Sequence, residues 1–113
     1  MIENIKEEWM KIEKEFYGEV KIDEADCLEL QTPIKLKYYK VKNSKLEEEG
    51  CSYGIEIIKE QGELEDKKLE KEEITSIYKS EEKTNEVLEK LKRNKVTPIE
   101  LKDIIYDLNY PID

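Results

Sequence analysis

The sequence predicts an α+β fold with an N-terminal helix, a small antiparallel sheet of about three strands and a C-terminal α-hairpin. Three observations predict it. Apolar residues recur every three or four positions up to Gly18, form short strand-like runs between residues 34 and 78, and return to helical spacing over residues 80–109. A chain of 113 residues is long enough for one hydrophobic core without a metal or disulfide. We therefore expect a single domain spanning residues 1–113.

Residues 1–18 are predicted to form an amphipathic helix ended by Gly18. Its apolar stripe consists of Ile2, Ile5, Trp9, Ile12 and Phe16. Two interpretations remain open. The stripe covers the sheet, which is the interpretation we favour, or it docks on a partner or a second copy, because the same spacing fits a short heptad seam. The five residues are thus the candidate partner interface.

The strands are predicted over residues 34–78. Tyr53–Ile58 is apolar on one face and partly so on the other, as in a strand at the centre of a sheet. Ile34–Lys42 should pair with it antiparallel, and a bulge near Tyr38 would bring Val41 into phase with the apolar residues before it. Residues 68–78 are predicted as the third strand, because their apolar spacing suits no amphipathic helix.

The C-terminal helices are predicted over residues 80–109 from their capping signals. Ser80 caps a helix that ends near Asn94. Thr97 then stands as the N-cap of a second helix, with Pro98 at its first position and Glu100 completing a capping box.

The net charge of −9 is unevenly distributed, because residues 32–46 carry five lysines and no acidic residue. Tyrosines between lysines on a sheet face can stack on bases while the ammonium groups meet phosphates. The candidate nucleic-acid patch is Lys35, Lys37, Tyr38, Tyr39, Lys40 and Lys42. The alternative is that these lysines pair with Glu56 and Glu60 while the tyrosines pack under helices. The overall negative charge favours the alternative.

The composition argues against an enzyme. The chain contains no histidine, and its four glycines are too scattered for a phosphate-binding loop. Cys27 and Cys51 lack metal-site spacing and are expected as free thiols in a reducing compartment. We predict no catalytic, cofactor-binding or metal-binding residue, and for Glu56 an ion pair with a lysine of the neighbouring strand. Without a leader or an apolar run of membrane-spanning length, we expect a cytoplasmic protein with no membrane partner.

Two motifs carry a resemblance to a known family. The Tyr-Gly-Ile-Glu run at Tyr53–Glu56 and the Val-Thr-Pro-Ile helix start at Val96–Ile99 resemble those of a family of small uncharacterised clostridial proteins. The resemblance covers roughly residues 53–107, and its motifs are typical of fold determinants. It implies a bacterial cytoplasmic origin but no activity and no site residues.

These observations support three functional hypotheses. The first is a non-catalytic regulatory or adaptor protein that binds another protein with a basic patch, or a second copy as a homodimer. The second is an acidic regulator or inhibitor of a DNA-processing enzyme, such as a nuclease, a recombinase or a CRISPR or restriction component, carried by a phage or mobile element. The third, and least favoured, is direct nucleic-acid binding.

Overall fold

Four antiparallel strands form one sheet, and two helices follow it. The computed structural model describes residues 10–22, 33–45, 51–62 and 67–109. The strands are β1 (Met10–Ile22), β2 (Ile34–Lys45), β3 (Cys51–Gln61) and β4 (Lys68–Tyr78), and each pairs with the next in the order β1-β2-β3-β4. They are followed by α1 (Glu81–Arg93), a short 3-10 helix (Pro98–Glu100) and α2 (Leu101–Asn109).

The predicted N-terminal helix is wrong for the part of it that the structure describes. Residues from Met10 onward form β1, which pairs with β2 along its whole length. The four-residue spacing from Ile12 to Phe16 places both side chains on one face of a helix, but it does the same on a strand, where every second residue shares a face. Gly18 lies inside the strand and ends no helix. Ile2, Ile5 and Trp9 lie outside the described residues.

The sheet therefore has four strands where three were predicted, because β1 adds an edge strand beside β2. The predicted bulge near Tyr38 is also misplaced. The register shifts on β1, between Phe16 and Gly18, whose partners are Tyr39 and Tyr38. Since β2 itself stays regular, Val41 lies on the opposite face from Leu36 and Tyr38.

The core lies between one face of the sheet and the helices. Tyr38, at the centre of that face, is fully buried, and its hydroxyl donates a hydrogen bond to the Val96 carbonyl oxygen at 2.9 Å. The buried cluster comprises Leu36, Tyr38, Ile55 and Ile57 from the sheet, Val87, Leu88 and Leu91 from α1, and Val96, Leu101 and Ile105 from the C-terminal segment. Burial of these side chains is the main force that holds the helices on the sheet.

Both predicted helix starts are confirmed at their caps. The Ser80 hydroxyl accepts a hydrogen bond from the Lys83 backbone N–H at 3.1 Å. The Glu100 carboxylate accepts hydrogen bonds from the backbone N–H and the hydroxyl of Thr97, at 3.0 and 2.9 Å. No helix in the described part of the chain is long and apolar enough to cross a membrane.

Candidate functional site

The face of the sheet that points away from α1 is the candidate site, and we call it the open face. Its residues follow from strand alternation and register, taking Leu36 and Tyr38 as helix-facing. They are Ile12, Lys14, Phe16, Glu19 and Lys21 on β1; Lys35, Lys37, Tyr39, Val41 and Asn43 on β2; Ser52, Gly54, Glu56, Ile58 and Glu60 on β3; and Leu69, Lys71 and Glu73 on β4, with Lys67 just before β4. None of the described helices packs on this face.

An apolar patch occupies the β1–β2 side of the open face. Phe16 packs edge-on against its register partner Tyr39, with ring centroids 5.5 Å apart and an interplanar angle of 69°. Phe16 is 52 % exposed and Ile12 is 46 % exposed. Two residues of the predicted partner interface are thus available at the surface, although they sit on a strand. Aromatic side chains exposed in this way are typical anchors for a protein partner.

Lys14 connects three strands across the middle of the open face. Its ammonium group lies 3.2 Å from Glu56 Oε2 on β3 and 3.4 Å from Glu73 Oε1 on β4. Because Lys14 lies beside Val41 of β2, its aliphatic stem must pass over β2 to reach these carboxylates, and Val41 is fully buried. Burial lowers the pKa of Lys14, but the hydrogen bonds and charges of Glu56 and Glu73 outweigh it and raise the pKa above its ordinary value.

A second ion-pair group lies at the end of the open face. Glu60 Oε2 is 2.7 Å from Lys37 Nζ, and Glu60 Oε1 is 2.8 Å from Lys67 Nζ. Hydrogen bonds from these two ammonium groups lower the pKa of Glu60 to about 2. The predicted pairing of the β2 lysines with Glu60 is therefore present for Lys37. Glu56 is paired with a lysine, but with Lys14 of β1, one strand further away.

The structure divides the predicted nucleic-acid patch between the two faces of the sheet. Lys35, Lys37 and Tyr39 lie on the open face, whereas Tyr38 is in the core. Lys40 also lies on the helix-facing side, is 6 % exposed, and binds Glu81 Oε2 at 2.5 Å. Glu15 Oε1 at 3.4 Å and Asn85 Oδ1 at 3.3 Å complete its surroundings.

Lys42 shares the helix-facing side of β2 and is exposed. Strand alternation therefore places the six patch residues on two different faces of the sheet.

Charge is asymmetric across the width of the open face. Its β1–β2 half carries four lysines and one glutamate, a net charge of +3, while its β3–β4 half, with Lys67 at its end, carries three glutamates and two lysines, a net charge of −1. The run of glutamates and lysines in the sequence does not reveal this arrangement, because it depends on which residue of each strand points outward. This asymmetry is the feature of the candidate site that sequence reasoning missed.

The charge of the described residues also differs from that of the whole chain. They carry 19 basic and 15 acidic side chains, whereas the rest of the chain carries one lysine and 14 acidic side chains. The acidity is thus concentrated in the segments before, between and after the described ranges. Among the described residues, Cys51 is a free thiol and no three potential metal-ligating side chains are grouped. Cys27 lies outside those ranges.

Comparison with known proteins identifies the family of this chain. A family model described as a family of unknown function, DUF6514, matches residues 14–109. The match includes all four strands from Lys14 onward and both helices. No curated protein and no solved structure matches the chain.

Proposed function

Since the chain belongs to the family of unknown function DUF6514, we propose a function from its surface chemistry: it is a non-catalytic regulatory or adaptor protein that binds another protein through the open face. We also propose that it acts in the cytoplasm of a bacterium, in keeping with the clostridial resemblance of Tyr53–Glu56 and Val96–Ile99.

The exposure of Phe16 and Ile12 carries this proposal. Both are large apolar side chains about half exposed on β1, and Phe16 packs against Tyr39. Burying such side chains against a partner removes apolar surface from water, which contributes roughly 25 cal/mol for each Å² buried. Lysines and carboxylates surround the patch and can form hydrogen bonds at the rim of an interface.

The same surface favours a protein over a nucleic acid as the partner. Glu56, Glu60 and Glu73 lie on the open face among its lysines. These carboxylates would repel phosphate groups. Lys14 and Lys37 already bind carboxylates of the open face, Glu56 and Glu60, and are therefore less available to phosphate. A protein surface with both signs of charge suits this mixture.

The test is co-purification of the tagged chain from a lysate of its source, with and without nuclease. We expect a defined protein partner that survives nuclease treatment and is lost with the double variant Ile12→Ala/Phe16→Ala. The matched control is Ile99→Ala, which removes an 81 % exposed isoleucine from the 3-10 helix. The control should retain the partner.

Partner retention by the double variant, with circular dichroism showing that it is folded, would contradict the proposed surface. Capture that disappears with nuclease would support nucleic-acid binding instead. Identification of a nuclease or recombinase, in a complex that dissociates at high salt, would support the second hypothesis, an acidic regulator of a DNA-processing enzyme. The net charge of −9 favours that alternative.

A further inference from the structure

We propose that a second copy of this chain packs on the open face, in a homodimer whose two-fold axis runs parallel to the strands between β2 and β3. This inference rests on the proposed protein-binding role of the open face and names a second copy as its occupant. The contacts that support it are those of the charged rows, since the same axis would place Phe16 and Tyr39 over Glu73 and Glu56 of the second copy. It follows from the charge asymmetry of that face. A face that is positive on one half and negative on the other is complementary to itself when two copies meet with their halves exchanged.

The register determines which residues would meet. The proposed axis places β1 of one copy over β4 of the other, and β2 over β3. One row across the sheet runs Glu19, Lys37, Ile58, Lys71, so that Glu19 faces Lys71 of the second copy and Lys37 faces Ile58. Two Glu19–Lys71 pairs form in each dimer, one on either side of the axis.

The neighbouring row supports the same arrangement. It runs Lys21, Lys35, Glu60, Leu69, so that Lys35 faces Glu60 of the second copy and the stem of Lys21 faces Leu69. Leu69 is 63 % exposed in one copy. In the first row no two like charges face each other, and in the second Lys35 would join the ion-pair group in which Glu60 already binds Lys37 and Lys67 of its own chain. The alternative is a two-fold axis perpendicular to the strands. It would place β1 over β1 and β2 over β2 of the second copy, so that the lysine-rich half of one copy would face the lysine-rich half of the other.

The size of the open face fits a stable dimer. Four strands spaced about 4.8 Å apart, with about 11 residues of roughly 3.3 Å each, give a face on the order of 700 Å² per copy. Two copies would bury on the order of 1,400 Å², within the range of specific interfaces, about 1,200–2,000 Å². Sheets that pack face to face keep their strands within about 30° of each other, as this axis allows.

The experiment is analytical ultracentrifugation of the full chain over a wide range of concentration. We expect a reversible monomer–dimer equilibrium for the natural sequence. Glu19→Lys and Lys71→Glu each replace two attractive pairs by two repulsive ones, and each should raise the dimer dissociation constant by about tenfold. Neither Glu19 nor Lys71 forms a salt bridge within the described residues, and Glu19 acts on Lys37 only through its charge. The two substitutions should therefore change the dissociation constant with little change in folding stability.

Mixing the two variants provides the decisive measurement. In a heterodimer, the lysine introduced by Glu19→Lys in one chain would face the glutamate introduced by Lys71→Glu in the other. The unchanged Lys71 of the first chain would face the unchanged Glu19 of the second, so both pairs are attractive. The mixture should therefore dimerise about as tightly as the natural protein. Because the two exchanged charges are on different chains, only a contact between chains can produce this recovery.

Glu86→Lys is the matched control, since it makes the same charge change on the exposed surface of α1. It should leave the dissociation constant unchanged. A natural chain that stays monomeric at every concentration, or a mixture that dimerises no better than either variant alone, would overturn the dimer. A monomer that still captures another protein through Phe16 and Ile12 would overturn this inference and leave the proposed function standing.

Discussion

Gly54 is the residue at which the backbone leaves no room for a side chain. A Cβ atom there would lie 1.9 Å from the Ile74 carbonyl oxygen and 2.6 Å from the Thr75 carbonyl carbon. Both atoms belong to the backbone of β4, where its register against β3 shifts between Tyr53 and Ile55. The glycine of the Tyr-Gly-Ile-Glu motif is thus required by the close approach of a neighbouring strand.

We expect Gly54→Ala to lower the free energy of unfolding by about 3 kcal/mol, because the β4 backbone must move to admit the methyl group. Urea unfolding followed by circular dichroism measures the change. Gly18→Ala is the control. Its Cβ would lie 3.0 Å from Lys92 Cδ, an atom of a flexible side chain that can move aside. Equal losses for the two variants would contradict this explanation.

Tyr38 should make stability fall at alkaline pH. Burial raises the pKa of Tyr38 above its ordinary value of 10.0, and the charge of Glu100 adds to the effect. The folded protein therefore holds the phenolic proton more tightly than the unfolded chain. This contribution to stability is complete below pH 10.0 and is lost as the pH rises above it.

The variant Tyr38→Phe separates this contribution from others. At neutral pH we expect it to be less stable by about 1 kcal/mol, because the Val96 carbonyl loses its hydrogen bond. Above pH 10 its free energy of unfolding should fall less steeply than that of the natural protein. Burial or hydrogen bonding also raises the pKa of Tyr17 and Tyr53, so some alkaline loss should remain. Identical slopes for both proteins would disprove the assignment to Tyr38.

Lys14 and Lys40 each form ion pairs between secondary-structure elements, but their partner carboxylates differ in exposure to water. Lys14 connects β1 to Glu56 on β3, and the Glu56 side chain is only 4 % exposed. Lys40 connects β2 to Glu15 and Glu81, whose side chains are 72 % and 52 % exposed. Water can solvate the partners of Lys40 after its removal, but it reaches little of Glu56.

We therefore expect Lys14→Met to cost about 2 kcal/mol of stability, since it leaves a buried carboxylate without its partner. Lys40→Met should change stability by less than about 1 kcal/mol, because methionine keeps the packing and both carboxylates stay hydrated. Thermal and urea unfolding at neutral pH measure both. The double variant Lys14→Met/Glu56→Gln should recover part of the loss, and a loss that persists in full would point to packing by the lysine stem instead.

For the whole molecule, the distribution of charge argues against nucleic-acid binding. The described residues are net basic, yet three carboxylates of the open face, Glu56, Glu60 and Glu73, are paired with its lysines, and the chain as a whole carries −9. Gel-shift assays at low salt with single-stranded and duplex DNA and RNA should show no complex. A complex that weakens steeply with salt and depends on Lys35, Lys37 and Tyr39 would disprove this expectation.

Local signals in the sequence determined several parts of the fold. Ser80 and the Thr97–Glu100 pair identify the two helix starts, because a cap depends on residues within four positions of one another. The segments of β2 and β3 were also predicted from apolar residues in short runs bounded by turn residues, and the segment of β4 from apolar spacing that suits no amphipathic helix. The absence of histidine is a property of the sequence alone and needs no structure.

Only the tertiary structure showed that Met10–Ile22 forms a strand and which side chains meet on the open face. The spacing from Ile12 to Phe16 fits a helix and a strand equally, and pairing with β2 selected the strand. Lys14 meets partners that are 42 and 59 residues away in the sequence. No local pattern encodes such a contact, because it depends on the register of all four strands. Strand alternation separates Tyr38 from Tyr39, so that one lies in the core and the other on the proposed binding surface.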